Sequence, residues 1–227
     1  METRHARALA STTLALCLAL LLCLRANADD PGQAMPSTSP NGRFVFRQLD
    51  DEDPPVTDRE TRSTQAVFDT KTHRRVFVFP PYAGDSFGDT IRTVWSKDSR
   101  RLAVNYRAGG RYYCTSLFEI DGTNFRELPD PEETLTAPLA RAKIEQIKSL
   151  GLTADAYQRR INDTFTTRRW IDGNTIEADG SSESTVVVKG ADGEDIEEIS
   201  ASLRCILKFD PATMRWEIVK SRKLENE

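Results

Sequence analysis

Short apolar runs separated by turn residues dominate the chain. Arg43 to Arg47 (RFVFR) is one, entered through Ser39-Pro40-Asn41-Gly42. Ala66 to Asp69 and Arg75 to Phe79 flank Thr70-Lys71-Thr72-His73, which predicts a hairpin. Thr90 to Trp95, Arg101 to Tyr106 and Tyr112 to Ile120 read as strands. The last two are joined through Ala108-Gly109-Gly110, where glycine accepts positive φ. Asp121-Gly122 then turns the chain into Phe125 to Leu128. Five more strands are expected at Phe165–Trp170, Asn174–Ala178, Ser184–Lys189, Ser202–Phe209 and Arg215–Lys220. The period changes once. Ala137 to Leu150 carries Leu139, Ile144, Ile147 and Leu150 at helical spacing, with Pro138 suited to a first turn and Gly151 to a C-terminal cap. A second short helix is expected from Thr153 to about Arg160. Residues 48–63 and Gly190 to Glu198 are acidic and read as loops.

The N-terminus has a different character. Arg4, His5 and Arg7 precede an apolar stretch from Ala8 to Leu24, followed by Ala26-Asn27-Ala28. That order is the secretory signal pattern, with cleavage expected after Ala28. A retained membrane anchor is the alternative, because 17 residues is near the lower limit for a bilayer span. Lipidation is not expected, since the bulky Leu20, Leu21 and Leu22 precede Cys23. Cleavage implies a bacterial-type export to periplasm or medium, with no membrane contact afterwards. Residues 29–38 read as a flexible linker, and residues 39–227 as a single β-rich domain.

The leader carries a net +2 against −4 for the whole chain, so the exported part is at about −6. An acidic surface excludes a nucleic-acid footprint. Two of the four cysteines fall in the leader. Cys114 and Cys205 remain, either as a disulfide, which an oxidising compartment permits, or as two separate buried thiols.

The strands recur as a unit. Turn-then-strand openings stand at Ser39-Pro40-Asn41-Gly42, at Trp95-Ser96-Lys97-Asp98-Ser99 and at Trp170-Ile171-Asp172-Gly173. Each is followed by a strand, a tight turn and another strand, giving repeats near residues 39–79, 90–128 and 165–220. Cys114, Phe118 and Phe125 share their offsets with Cys205, Phe209 and Trp216. The segment Trp95-Ser96-Lys97-Asp98-Ser99 with Leu102-Ala103-Val104, and Phe118-Glu119-Ile120-Asp121-Gly122 beyond it, resembles the WD40-like propeller repeat of the TolB type. Ser39-Pro40-Asn41-Gly42 matches its opening. Lys97 and Ser99 depart from its Pro and Gly, and the third repeat is weak. The resemblance covers about 100 residues. It implies mainly β structure in antiparallel propeller-like blades; the chain has room for about three, interrupted by the short helical insert near residues 137–160 that the spacing predicts. It also implies a protein-binding surface without catalytic residues. Closed propellers need roughly four to eight blades, so the array is expected to be open, or to be completed by a second copy.

Site chemistry is sparse. His73 is the one histidine outside the leader, and no phosphate cradle, nucleophile elbow or zinc ligand spacing occurs. Asp192, Glu194, Asp195 and Glu197 do not match a calcium loop. No catalytic residue, cofactor or metal is expected. The expected interaction surface is Tyr106, Arg107, Arg111, Tyr112 and Tyr113 around the glycine turn. Trp95, Trp170 and Trp216 are expected in the core. The sequence thus favours an exported, non-catalytic binding protein whose partner is another protein or its own copy. A carbohydrate- or envelope-binding module and a hydrolase of unknown type are the alternatives.

Overall fold

The computed structural model describes residues 37–49, 53, 65–79, 91–108, 112–152, 158–190 and 193–224, with 158–161, 187–190 and 193–197 described by backbone alone. The expected leader (1–28) lies outside them, as does nearly all of the expected 48–63 loop. Of the expected linker, Ser37 and Thr38 form a strand.

Three four-stranded antiparallel meanders follow one another. The first is β1 (Ser37–Thr38), β2 (Phe44–Gln48), β3 (Gln65–Asp69) and β4 (Arg74–Val78). The second is β5 (Arg92–Trp95), β6 (Arg101–Arg107), β7 (Tyr113–Asp121) and β8 (Asn124–Glu127). Helix α1 (Glu132–Ser149) intervenes. The third is β9 (Gln158–Asp172), β10 (Thr175–Gly190), β11 (Gly193–Asp210) and β12 (Arg215–Lys223). The second and third merge into one eight-stranded sheet, because β7 and β9 pair in parallel at Tyr113 and Thr164. Both sheets are open.

The first two meanders open on one turn chemistry. Ser39 Oγ donates to Asn41 Oδ1 (2.8 Å) and accepts from the Phe44 N–H (2.9 Å). Ser96 Oγ does the same with Asp98 Oδ1 (2.6 Å) and the Arg101 N–H (2.9 Å). Gly42 and Ser99 take the equivalent positive φ, 71° and 59°. In both, a serine caps its own turn through the side chain two residues on. The turns also touch across layers: the Asn41 N–H donates to Ser99 Oγ (3.0 Å), and Arg101 Nε donates to the Gly173 carbonyl (2.8 Å).

Alternation along β6 and β7 places the second meander between two partners. Leu102, Val104, Tyr106, Phe118 and Ile120 pack with Phe44, Phe46, Val67 and Phe79 of the first sheet. Ala103 and Leu117 point the other way, to Trp170, Ile176, Ala178 and Leu207 of the third meander. The third has longer strands, 16 residues in β10 and 18 in β11 against 7 in β6. Helix α1 covers what the second meander cannot reach, with Leu135 and Leu139 in the main core and Ile147 against Val186 and Ile199. Gly180 makes this approach possible: a Cβ there would lie 2.6 Å from Leu135 Cδ1.

Several expectations are corrected. Helix α1 begins five residues before Ala137, so Pro138 lies inside it. Pro131 starts the helix instead, and Asp130 Oδ1 accepts from the Glu132 N–H (2.8 Å). At the other end Gly151 is at φ 75° as expected, and the Leu152 N–H returns to the Ile147 carbonyl (3.2 Å). Residues 158–160 belong to β9, not to a second helix; 153–157 lie outside the described residues. The two strands expected at 174–178 and 184–189 are one strand, because Gly180 to Glu183 run straight beneath the helix. The acidic stretch from Gly193 onward is strand, leaving only residues 191–192 between β10 and β11. Cys114, Phe118 and Phe125 share their offsets with Cys205, Phe209 and Trp216 but not their places in the strand pairing. Phe209 faces Trp216 across a four-residue loop, whereas Phe125 faces Ile120 across a two-residue loop.

Candidate functional site

Where the second and third meanders part, their contact grades from apolar to charged. The closed end is Val94, Ala103, Leu117 and Trp170. Next comes a buried polar zipper. Asn105 Nδ2 donates to the Thr167 carbonyl (2.8 Å), and Asn105 Oδ1 accepts the Thr167 N–H (2.8 Å). Thr115 Oγ1 donates to Asn105 Oδ1 and accepts from the Thr167 N–H (3.1 Å). The amide of Asn105 thus stands in for a peptide group where β9 has left the ladder, which satisfies backbone that would otherwise be buried unpaired.

Beyond the zipper the gap opens into a cleft of about 450 Å³. Arg92 and Tyr113 line one side, and Thr166, Thr167, Arg168 and Arg169 the other, with Glu177 beside them. Arg169 Nε donates to Glu177 Oε2 (2.8 Å), and Arg168 Nη1 to Asp179 Oδ2 (2.9 Å). Asp179 also receives Arg204 through Nε (2.7 Å) and Nη2 (3.0 Å). Burial pushes the Asp179 carboxyl upward, but the hydrogen bonds and charges of Arg204 and Arg168 outweigh it and hold the group below the ordinary carboxylate value. Arg92 is exposed and has no ion-pair partner among the described residues. Thr167 is 2% exposed, and its hydroxyl has no hydrogen-bond partner among them.

The expected Tyr and Arg patch is only partly assembled. Tyr113 reaches the cleft, and the Arg107 guanidinium lies 6.0 Å from its ring centroid. Tyr106 is instead core, 9% exposed and edge-on to Phe79. Tyr112 is held by the helix: its hydroxyl lies 2.8 Å and 2.9 Å from the two Glu132 carboxylate oxygens. Burial first, and that carboxylate second, push its pKa upward. Arg111 lies outside the described residues. The sequence reading missed Arg92, Asn105, Thr167, Arg168 and Arg169. Two signals were available: an asparagine inside the apolar run LAVNY, and paired arginines beside a tryptophan.

Trp170 and Trp216 are buried as expected, whereas Trp95 is half-buried at the edge of the first core. The indole N–H of Trp95 donates to Ser37 Oγ (2.9 Å) and that of Trp170 to the Val94 carbonyl (3.1 Å). Each thereby ties the end of its meander's first strand to the first strand of the preceding meander. Trp216, on β12, donates to the Pro129 carbonyl (2.8 Å) and is not equivalent to them.

Cys114 and Cys205 are free thiols, so the disulfide alternative is corrected. Cys205 lies on β11, and β10 and β9 separate that strand from β7, which carries Cys114. At about 4.8 Å per strand the gap is roughly 14 Å, twice what a disulfide spans. Burial pushes both thiols up to about 11.

A second polar cluster lies under α1. Lys143 Nζ donates to Ser182 Oγ (2.9 Å) and Ser184 Oγ (3.0 Å) beside a cavity of about 260 Å³ that Asp163 also lines. A serine–lysine pair is a known nucleophile arrangement. Here both serines sit in mid-strand, paired with β9 on one side and β11 on the other. Acyl transfer needs unspent N–H groups aimed at an oxyanion, and this ladder consumes them. The cluster anchors the helix to the sheet. No group of three His, Cys, Asp or Glu arranged for a metal occurs among the described residues, and no described helix is long and apolar enough to cross a membrane.

No family model and no curated protein matches the chain. Among solved structures, one from a structural and mechanistic analysis of two prolyl endopeptidases aligns with 87% of this chain at 10% identity, with a TM-score of 0.32. The alignment covers 36% of that structure, so the chain spans about a third of its length.

Proposed function

We propose that the chain is an exported, non-catalytic binding protein whose three propeller-like meanders, in an open array, hold a contact surface for a protein partner. The observation that carries this reading is the solvent-open cleft of Arg92, Tyr113, Arg168 and Arg169 on paired strands. Arginine and tyrosine are the residues that interfaces favour. The layer-to-layer bonds of Trp95, Trp170, Asn41 and Arg101 support the stacked reading of the sheets. Export rests on the leader pattern of residues 1–28.

The carbohydrate alternative is less well supported, because all three indole N–H groups are spent inside the protein. The partner is also better read as a different molecule than as a second copy. Ring closure needs an apolar outer face on the last layer. The outward residues of β9 to β11 instead pair Arg168 and Arg204 with Asp179, and Arg169 with Glu177.

The test places a photo-crosslinking residue at position 71, 113 or 219 in the exported protein, in its native host. A discrete protein adduct from at least one position is expected. Adducts from none of them would overturn the reading. Mass spectrometry of the same material is expected to show a chain starting at Asp29.

A further inference from the structure

The cleft is cationic in a protein whose net charge is −4. Three arginines and one glutamate line it, with no lysine. A guanidinium offers a planar fork matched to a carboxylate, where an ammonium offers a point charge. The forks are already oriented. Glu177 occupies only Nε of Arg169, and Asp179 only Nη1 of Arg168. The side chains remain 67% and 50% exposed, so their other N–H groups are open to solvent. A ligand that uses them does not have to order a long side chain first, which is where surface ion pairs lose most of their worth.

The cations also stand on both walls. Arg92 projects from β5 and Arg168 and Arg169 from β9, with the Asn105–Thr115–Thr167 zipper as a rigid floor between them. An extended backbone can present one carboxylate to each wall. The half-buried ring of Tyr113 completes a surface suited to a peptide. We infer that the cleft binds an acidic, extended segment of the protein partner, with Arg92, Arg168 and Arg169 as its carboxylate contacts. This rests on the binding function proposed above.

The experiment uses the full exported chain and a fluorescein-labelled hexaglutamate peptide, followed by anisotropy in 50 mM salt. Arg92→Gln is expected to weaken binding about tenfold, the loss of one charge-assisted contact. Arg92→Lys keeps the charge and is expected to recover part of that loss. Arg222→Gln on β12 removes the same charge elsewhere and is expected to change affinity less than twofold. Hexaglutamine is expected not to bind. Equal losses from Arg92→Gln and Arg222→Gln would overturn the assignment in favour of diffuse attraction. Displacement of the peptide by inorganic phosphate at matched anion concentration would overturn it in favour of a single-ion site. Arg92 is exposed, so an unchanged melting temperature is expected to confirm that the variant folds. If crosslinks form at position 71 or 219 while hexaglutamate is ignored, the binding function stands and this inference falls. If no position crosslinks, the binding function itself falls.

Discussion

Strands β6 and β10 lie in one continuous sheet, with β7 and β9 between them, and obey different rules. Every residue from Leu102 to Tyr106 is buried, apolar except for Asn105, because layers cover both faces of β6. From Ile176 to Val186, β10 buries alternate residues and turns Glu177, Asp179, Ser181 and Glu183 outward. The difference teaches where the stack ends. A central strand needs apolar side chains in both directions, whereas a terminal one needs them in one direction and discourages further pairing with charge on the other.

Substitutions sharpen the contrast. Phe118→Ala on β7, 1% exposed between the first and second meanders, is expected to cost about 3–5 kcal/mol. Urea unfolding followed by fluorescence measures it, and a loss under 1 kcal/mol would show that the first sheet does not pack there. Asn105→Ala is next, at about 2–3 kcal/mol, since it strands the buried Thr167 carbonyl and leaves the Thr115 hydroxyl only its longer bond to the Phe165 carbonyl (3.3 Å). If that variant is neutral in the same assay, water replaces the zipper.

Asp179→Asn on the outer face is expected to act through pH. The folded carboxyl sits below its unfolded value near 3.9. Its contribution is therefore complete above about pH 4 and is lost as pH falls through the lowered folded value. Wild type is expected to lose stability over that acid range more steeply than Asp179→Asn, with the two curves converging at low pH. Parallel curves would show that Arg168 and Arg204 do not stabilise the charge. Val219→Thr is the smallest. At 61% exposure on β12 it is expected to stay within about 0.5 kcal/mol, and a larger change would mean that something covers this edge. Light scattering is expected to give a monomer mass. A dimer would require an apolar contact that the outer face of the third meander does not offer.

Much of this was legible before any coordinates. Turn residues two to four apart and alternating apolar positions placed nearly every strand, because those signals are local. The Gly151 cap was local too. The errors share a cause. Gly180-Ser181-Ser182-Glu183 falls between two expected strands until a helix lies over it and its missing Cβ becomes the reason for the glycine. Pro138 reads as a helix start until Asp130 and Pro131 supply a better one upstream. The acidic stretch after Gly193 reads as a loop until β10 extends far enough to pair with it.

The candidate site was less legible, because it belongs to no single segment. Arg107 and Tyr113 could be seen as neighbours in a hairpin. The meeting of Tyr113 with Arg92, Arg168 and Arg169 requires β7 and β9 to pair once and then part. By itself, then, the sequence determined the β class and the turns, since these depend on residue type and short spacing. Only the tertiary structure decided that two cysteines stay apart, that Tyr106 is core while Tyr113 is surface, and that arginines more than 70 positions apart line one cleft. Those outcomes depend on which strand becomes whose neighbour, and long-range pairing is set by burial summed over whole layers.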